Sequence, residues 1–136
     1  MRAYIDSSVL LRLVLGEPGM LRSLKRVTRP VSSELIRLEC LRTIDRARVR
    51  LRLPDPEIAK RRAAVLERLE AFDLVRVGES VLERAAEPFP TTLGSLDAIH
   101  LASALLARDS TSDLPFATHD LELATAARAV GFRVLA

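Results

Sequence analysis

The chain has no tryptophan, one tyrosine, one cysteine, two histidines and five glycines. Each scarcity removes a class of chemistry. A lone cysteine, Cys40, excludes an internal disulfide, and within an apolar helical stretch it reads as a small buried hydrophobe. Zinc centres draw mainly on Cys and His, and Cys40, His100 and His119 are a thin supply of such ligands. No Gly-x-x-x-x-Gly-Lys-Ser/Thr run occurs, which removes the commonest phosphate-binding loop. Neither histidine follows a nucleophile elbow, and Ser7, Ser8, Ser32 and Ser33 read as helix caps, so a nucleophilic triad is not supported. His100 reads as a helix residue with a satisfied hydrogen bond, and His119 as a surface turn residue. No window approaches the roughly 18 to 20 apolar residues of a membrane helix. The opening residues put an acid, Asp6, where a secretory signal needs a continuous apolar segment, so the cytoplasm is the expected location.

What is present is a chain of 136 residues, 49% of them hydrophobic, which is enough to bury one core and predicts a single domain over 1–136. The formal charge is +3 and the only lysines are Lys25 and Lys60, so the positive charge is almost entirely arginine. Arginine suits bidentate contact with phosphate, which permits an RNA partner. The clusters Arg46, Arg48, Arg50, Arg52 and Lys60, Arg61, Arg62 read equally well as solvated helix faces.

Short apolar runs alternate with helical patterns along the whole length. Ala3-Tyr4-Ile5 reads as a strand ending at Asp6, followed by a helix over Val9 to Leu15. Met20 to Val27 suggests a short helix, and residues 30–33 a second strand. A helix from about Glu34 to Arg50 carries Leu35, Leu38, Leu41 and Ile44 at helical spacing. With Asp55 as its cap, another helix runs to about Ala71 and pairs with it. Leu74 to Val77 predicts a strand, Glu79 to Glu87 a helix, and residues 88–92 a proline-broken loop. Gly94 to Arg108 is helical, with Leu96, Ile99, Ala102 and Leu106 on one face. A strand over Pro115 to Thr118, a helix over Leu121 to Val130 closed by Gly131, and a strand over Phe132 to Leu135 complete the pattern. Such alternation predicts an α/β fold with a mostly parallel sheet covered on both faces.

In a parallel sheet, residues just beyond the carboxyl ends of the strands gather at one edge, and Asp6 and Asp120 hold such positions. Asp97 lies in the first turn of its helix and Glu39 about a turn and a half into its own, on a face with Leu35 and Arg42. Each acid alone has a structural explanation: Asp6 as a cap, Asp97 and Asp120 at the positive end of a helix dipole, Glu39 as a partner of Arg42. As a set they point further. Clustered carboxylates repel one another near neutral pH unless a cation sits between them, and hard oxygen ligands suit Mg²⁺ or Mn²⁺.

Four segments resemble the PIN-domain family, particularly the VapC toxins of bacterial toxin–antitoxin pairs. Tyr4-Ile5-Asp6-Ser7-Ser8-Val9-Leu10 is similar to the family's opening strand and turn. Ser32 to Arg42 resembles its second acidic segment, with Glu39 rather than Glu34 at the metal-site position. Leu96-Asp97-Ala98-Ile99-His100-Leu101-Ala102-Ser103-Ala104 resembles the third and is the most specific. Ala117-Thr118-His119-Asp120, with Leu123, Gly131 and Phe132-Arg133-Val134 after it, resembles the Thr-x-Asp segment and closing elements.

The resemblance implies a three-layer α/β/α sandwich with a mostly parallel sheet of about five strands, and a metal-dependent endoribonuclease acting as a homodimer. It implies that Asp6, Glu39, Asp97 and Asp120 hold Mg²⁺ or Mn²⁺ and that Ser8 and Thr118 orient those carboxylates or water. Arg37, Arg42 and Arg46, near Glu39, are the candidates for contact with RNA. A VapB-type antitoxin is the implied partner, its C-terminal segment lying over the acidic pocket. The rivals are a non-catalytic PIN-like module that binds RNA or protein, and a PIN nuclease that processes RNA without a toxin role. A response-regulator receiver fits less well, since it expects paired acids after the first strand and a lysine near the last.

Overall fold

The computed structural model describes residues 1–111 and 113–135. Its centre is a five-stranded sheet in the order β3-β2-β1-β4-β5, with every pairing parallel. The strands are β1 (Arg2–Ile5), β2 (Arg29–Ser33), β3 (Asp73–Val75), β4 (Phe116–Ala117) and β5 (Val134–Leu135). The helices are α1 (Ser7–Val14), α2 (Leu35–Arg50), α3 (Asp55–Leu69), α4 (Glu79–Ala86), α5 (Ser95–Arg108) and α6 (Leu121–Ala129). The predicted short helix after Met20 is a 3-10 turn, Arg22–Arg26, without a buried residue of its own.

Side-chain alternation along the strands divides the interior into two faces. Tyr4, Val31 and Phe116 point into a cluster with Leu101 and Ala104 of α5 and Leu123 and Ala127 of α6. Ala3, Ile5 and Ala117 point the other way and pack with Val9 of α1. Beyond them Leu10 meets Ile36, Cys40 and Ile44 of α2 and Ile58 and Val65 of α3. The result is the expected three-layer α/β/α arrangement, and the fully buried Phe116, Ile44 and Leu101 each contribute about 2 to 3 kcal/mol of apolar burial.

Helical spacing located the helices better than their buried faces. On α2 the buried stripe is Ile36, Cys40, Ile44 and Ala47, whereas Leu38 is exposed. On α5 it is Ala98, Leu101, Ala102 and Ala104, with Leu96 and Leu106 outside. Small residues occupy these interior positions because α5 lies directly against β2 and both neighbouring helices. Helix α1 also starts two residues early: Asp6 is its N-cap, accepting from Ser8 N–H at 3.3 Å, so Ser7 and Ser8 lie inside the helix. Of the four serines read as caps, only Ser33 serves a helix start, accepting from Leu35 N–H at 3.1 Å. Pro54 holds the cap position expected of Asp55, which instead opens α3. Gly131 follows α6 with φ of 92°, a left-handed conformation that ends the helix at little cost for glycine.

Candidate active site

Strand order places the site. From β1 the chain moves to β2 and β3 on one side, then crosses to β4 and β5 on the other. At the carboxyl ends of β1 and β4 the outgoing segments therefore diverge and leave a crevice, the usual location of ligand sites in open parallel sheets. Asp6 leaves β1 at that crevice and Asp120 leaves β4, each capping the helix that follows.

Asp6 is 3% exposed, the only buried carboxylate among the described residues, and a set of short-range donors holds it. Its Oδ2 accepts from Ser8 Oγ at 2.6 Å and from Thr118 Oγ1 at 2.9 Å. Those hydroxyls are aimed in turn by the turn after β4: His119 N–H donates to Ser8 Oγ at 2.9 Å and Asp120 N–H to Thr118 Oγ1 at 3.0 Å. Each hydroxyl thus accepts a hydrogen bond from a backbone N–H and donates one to Asp6, which locks the carboxylate's rotamer. Asp120 Oδ1 accepts from Leu123 N–H at 3.0 Å.

Asp97, in the first turn of α5, and Glu39 of α2 join from the two helical layers. Burial, followed by the charges of Asp120, Asp6 and Glu39, pushes the Asp97 carboxyl up to about 6. Glu39 does not pair with Arg42, whose guanidinium binds Asp45 at 3.1 Å. Its partner is His100 Nε2 on α5, which also lies 3.9 Å from Asp6 Oδ1.

His100 is the residue sequence reasoning undervalued. It is fully buried, its Nδ1 meets Tyr4 Oη at 2.8 Å, and its Nε2 stands between two of the acids. Burial disfavours its charge, yet the hydrogen bond with Glu39 and the charges of Asp6, Glu39 and Asp97 outweigh that and raise its pKa. Its position one helical turn after Asp97 was the available signal. Tyr4 carried none beyond its place two residues before Asp6. His119 is half-buried at the same turn, and burial followed by the nearby Arg12 charge lowers its pKa. Burial, then Glu39 and Asp6, pushes the Cys40 thiol up to about 12, so it is an inert hydrophobe as expected. Arg37, Arg42 and Arg46 all lie on exposed positions of α2. Arg46 is tied to Thr43 at 3.2 Å, and Arg37 forms no ion pair among the described residues.

A cavity of about 560 Å³ lies elsewhere, lined by Leu10, Leu13, Leu24, Val27 and Phe72 among others, and none of these acids lines it.

A family model for the PIN domain matches residues 3–129. The chain belongs to the PIN domain family. Ribonuclease VapC46 of Mycobacterium tuberculosis (strain ATCC 25618 / H37Rv) is 35% identical over 136 aligned residues, which cover 98% of this chain and 95% of that protein. Ribonuclease VapC47 of Mycobacterium tuberculosis (strain CDC 1551 / Oshkosh) is 33% identical over 131, covering 95% and 92%. The resemblance read from the four acidic segments is thereby borne out across the chain.

The acids of this PIN domain suit a hard divalent cation by charge and by ligand type. Among the described residues no three Asp, Glu, His or Cys side chains are gathered closely enough to hold an ion by themselves. An ion such as Mg²⁺ keeps several waters and needs one or two carboxylates rather than a closed protein cage. Burial first, and then the charges of Asp120 and Asp6, disfavours the ionised Asp97 carboxyl, and a nearby cation would offset both.

Proposed function

We propose that this PIN domain is a metal-dependent endoribonuclease of the VapC toxin type, kept in check by a cognate VapB-type antitoxin. The observation that carries the reading is the buried Asp6 carboxylate at the switch point of a parallel sheet, with Asp120 capping the helix after the neighbouring strand and Glu39 reaching the same buried His100 that lies 3.9 Å from Asp6. The similarity to two proteins named Ribonuclease VapC over nearly the whole chain supports the RNA substrate.

Asp6, Glu39, Asp97 and Asp120 would hold Mg²⁺ or Mn²⁺, directly or through water. Bound there, the cation supplies an acidified water and neutralises charge on the phosphate and on the leaving 3′ oxygen. The chain's own contributions are positional. Ser8 and Thr118 fix the Asp6 carboxylate, and the backbone of residues 118–120 fixes Ser8 and Thr118. Arg37, Arg42 and Arg46, exposed along α2, would meet RNA phosphates, which gives affinity that falls with salt.

Leu38, Leu96 and Leu121 are 58%, 53% and 84% exposed, and each is the sequence neighbour of one of the acids. Apolar side chains flanking an acidic pocket suit a peptide that offers hydrophobic residues around a cationic one, the chemistry expected of an antitoxin's covering segment. Homodimer formation and action in the cytoplasm belong to the same reading.

The test is cleavage of labelled structured RNAs, tRNAs included, by purified antitoxin-free protein with Mg²⁺ or Mn²⁺. Cutting that EDTA and Asp97→Asn both abolish supports the reading. Folded, metal-binding protein that cuts nothing moves the weight to a non-catalytic PIN module that binds RNA or protein, whereas cutting without any antitoxin partner favours RNA processing.

A further inference from the structure

We propose that Tyr4 and His100 are positioning residues for the acidic site: they form a buried hydrogen-bond chain that presents an N–H donor to Glu39 and holds its carboxylate toward the other acids. The inference rests on the metal-dependent reading above and adds to it a residue pair outside the four acids.

Glu39 needs an external anchor. It stands partway along α2, half-buried, with a three-torsion side chain, and the cation nearest on its helix, Arg42, is occupied by Asp45. The protein donor that reaches it is His100 Nε2. His100 is itself immobilised, fully buried in α5 with Nδ1 at 2.8 Å from Tyr4 Oη. Tyr4 is fixed from two further directions. Its ring stacks on Phe116 at 5.0 Å between centroids, and its Oη accepts from Ser33 N–H at 3.1 Å. One chain of contacts thus joins β2, β1, α5 and α2.

Proton counting sets the direction of the donor. A phenol is protonated near neutral pH, so the Tyr4 oxygen takes the Ser33 N–H and has one proton to give. If the imidazole is neutral, that proton goes to Nδ1 and the ring's own proton must lie on Nε2, facing Glu39. If the ring is charged, both nitrogens carry protons and Nε2 again donates to Glu39. Either way the chain delivers an Nε2–H toward the carboxylate. Only the Nδ1–H neutral tautomer would turn a lone pair on Glu39, and the Tyr4 hydroxyl disfavours that form.

The experiment combines ¹⁵N NMR of the imidazoles in metal-free protein with Mn²⁺ titration of the wild type, Tyr4→Phe, His100→Gln and His100→Leu. The wild type is expected to show His100 protonated at Nε2. Mn²⁺ affinity should fall about 10- to 100-fold in His100→Leu, the range for loss of a partner that orients a metal ligand. His100→Gln, which keeps an N–H donor, should recover most of that loss. Tyr4→Phe, which preserves the ring packing, should lose about 3- to 10-fold and allow the Nδ1–H form to appear. An unprotonated Nε2 in the wild type, or a folded His100→Leu that binds Mn²⁺ as tightly as the wild type, overturns the proposal and leaves the metal site standing. If His100→Leu does not fold, Tyr4→Phe with unchanged Mn²⁺ affinity overturns it equally. A wild type that binds no Mn²⁺ removes the metal site itself, and the proposal with it.

Discussion

The two ends of the sheet handle charge in opposite ways. At the amino end, charged groups have partners of opposite charge: Arg2 meets Thr111 and lies 3.9 Å from Asp73, and Arg133 binds Asp113 at 3.2 Å with both side chains exposed. At the carboxyl end lie nearly all the buried polar side chains, Asp6, Ser32, Ser33, His100 and Thr118, and the ionisable groups there are mostly of one sign. A chain selected only for stability gains nothing from carboxylates gathered in a crevice, because each raises the free energy of the others. The amino end shows what structural pairing looks like, and the carboxyl end departs from it in the direction that a bound cation would correct.

The comparison is broken most forcefully through Asp6. Asp6→Asn keeps the shape and removes the best-ordered charge, so RNA cleavage should fall by at least about 100-fold while the fold survives by circular dichroism. Retained cleavage would mean that the crevice is not where the chemistry occurs. Next is Thr118→Val, nearly isosteric, which strips a donor from Asp6 and leaves Asp120 N–H without its acceptor. A loss of about 1 to 3 kcal/mol in denaturant unfolding is expected, with about a 10-fold drop in cleavage.

Asp97 sharpens the contrast because its effect on stability has the opposite sign. Its pKa is raised from 3.8 to about 6 in the folded protein, so the folded state binds its proton more tightly than the unfolded chain does. Without a cation, stability should therefore fall as pH rises from about 4 through 6. The raised pKa of His100 acts in the same direction above 6.5, since the stability of its protonated form is lost as pH passes its folded value. Asp97→Asn should stabilise the cation-free protein at pH 7.5 by about 1 kcal/mol after allowance for solvent screening, a rise of a few degrees in Tm. Added Mg²⁺ or Mn²⁺ should raise the Tm of the wild type more than that of the variant. A less stable Asp97→Asn would show that the acid is structurally paired after all. The smallest effect belongs to the amino end, where Arg133→Ala should change stability by less than about 0.5 kcal/mol in thermal melts, as exposed ion pairs do.

Asp6 and Asp120 were legible as site residues because their positions depend on local order alone: an acid one to three residues past an apolar strand must lie at the carboxyl edge. Glu39 was legible through resemblance but not through its contacts, since the choice between Arg42 and His100 is made by how α2 and α5 approach across the sheet edge. The buried faces of those helices were misjudged for a related reason. Leu38 and Leu96 fit the helical repeat, yet α2 turns Ile36 and Cys40 to α1 and α3, and α5 turns Leu101 and Ala104 to the sheet, where small or slender side chains allow the layers to meet. Ser7 and Ser8 looked like caps because their chemistry suits that role, but Asp6 took it, freeing the Ser8 hydroxyl for Asp6 itself.

By itself the sequence determined the alternation of strands and helices, the parallel sheet, the family and the acids at strand ends, all properties that periodicity and chain order encode locally. Tertiary structure alone decided the β3-β2-β1-β4-β5 order that opens the crevice, the raised pKa of Asp97, and the link from Ser33 through Tyr4 and His100 to Glu39. These depend on distances between residues far apart in the chain, such as Tyr4 and His100, which are 96 positions apart. Such distances are fixed only when the layers pack.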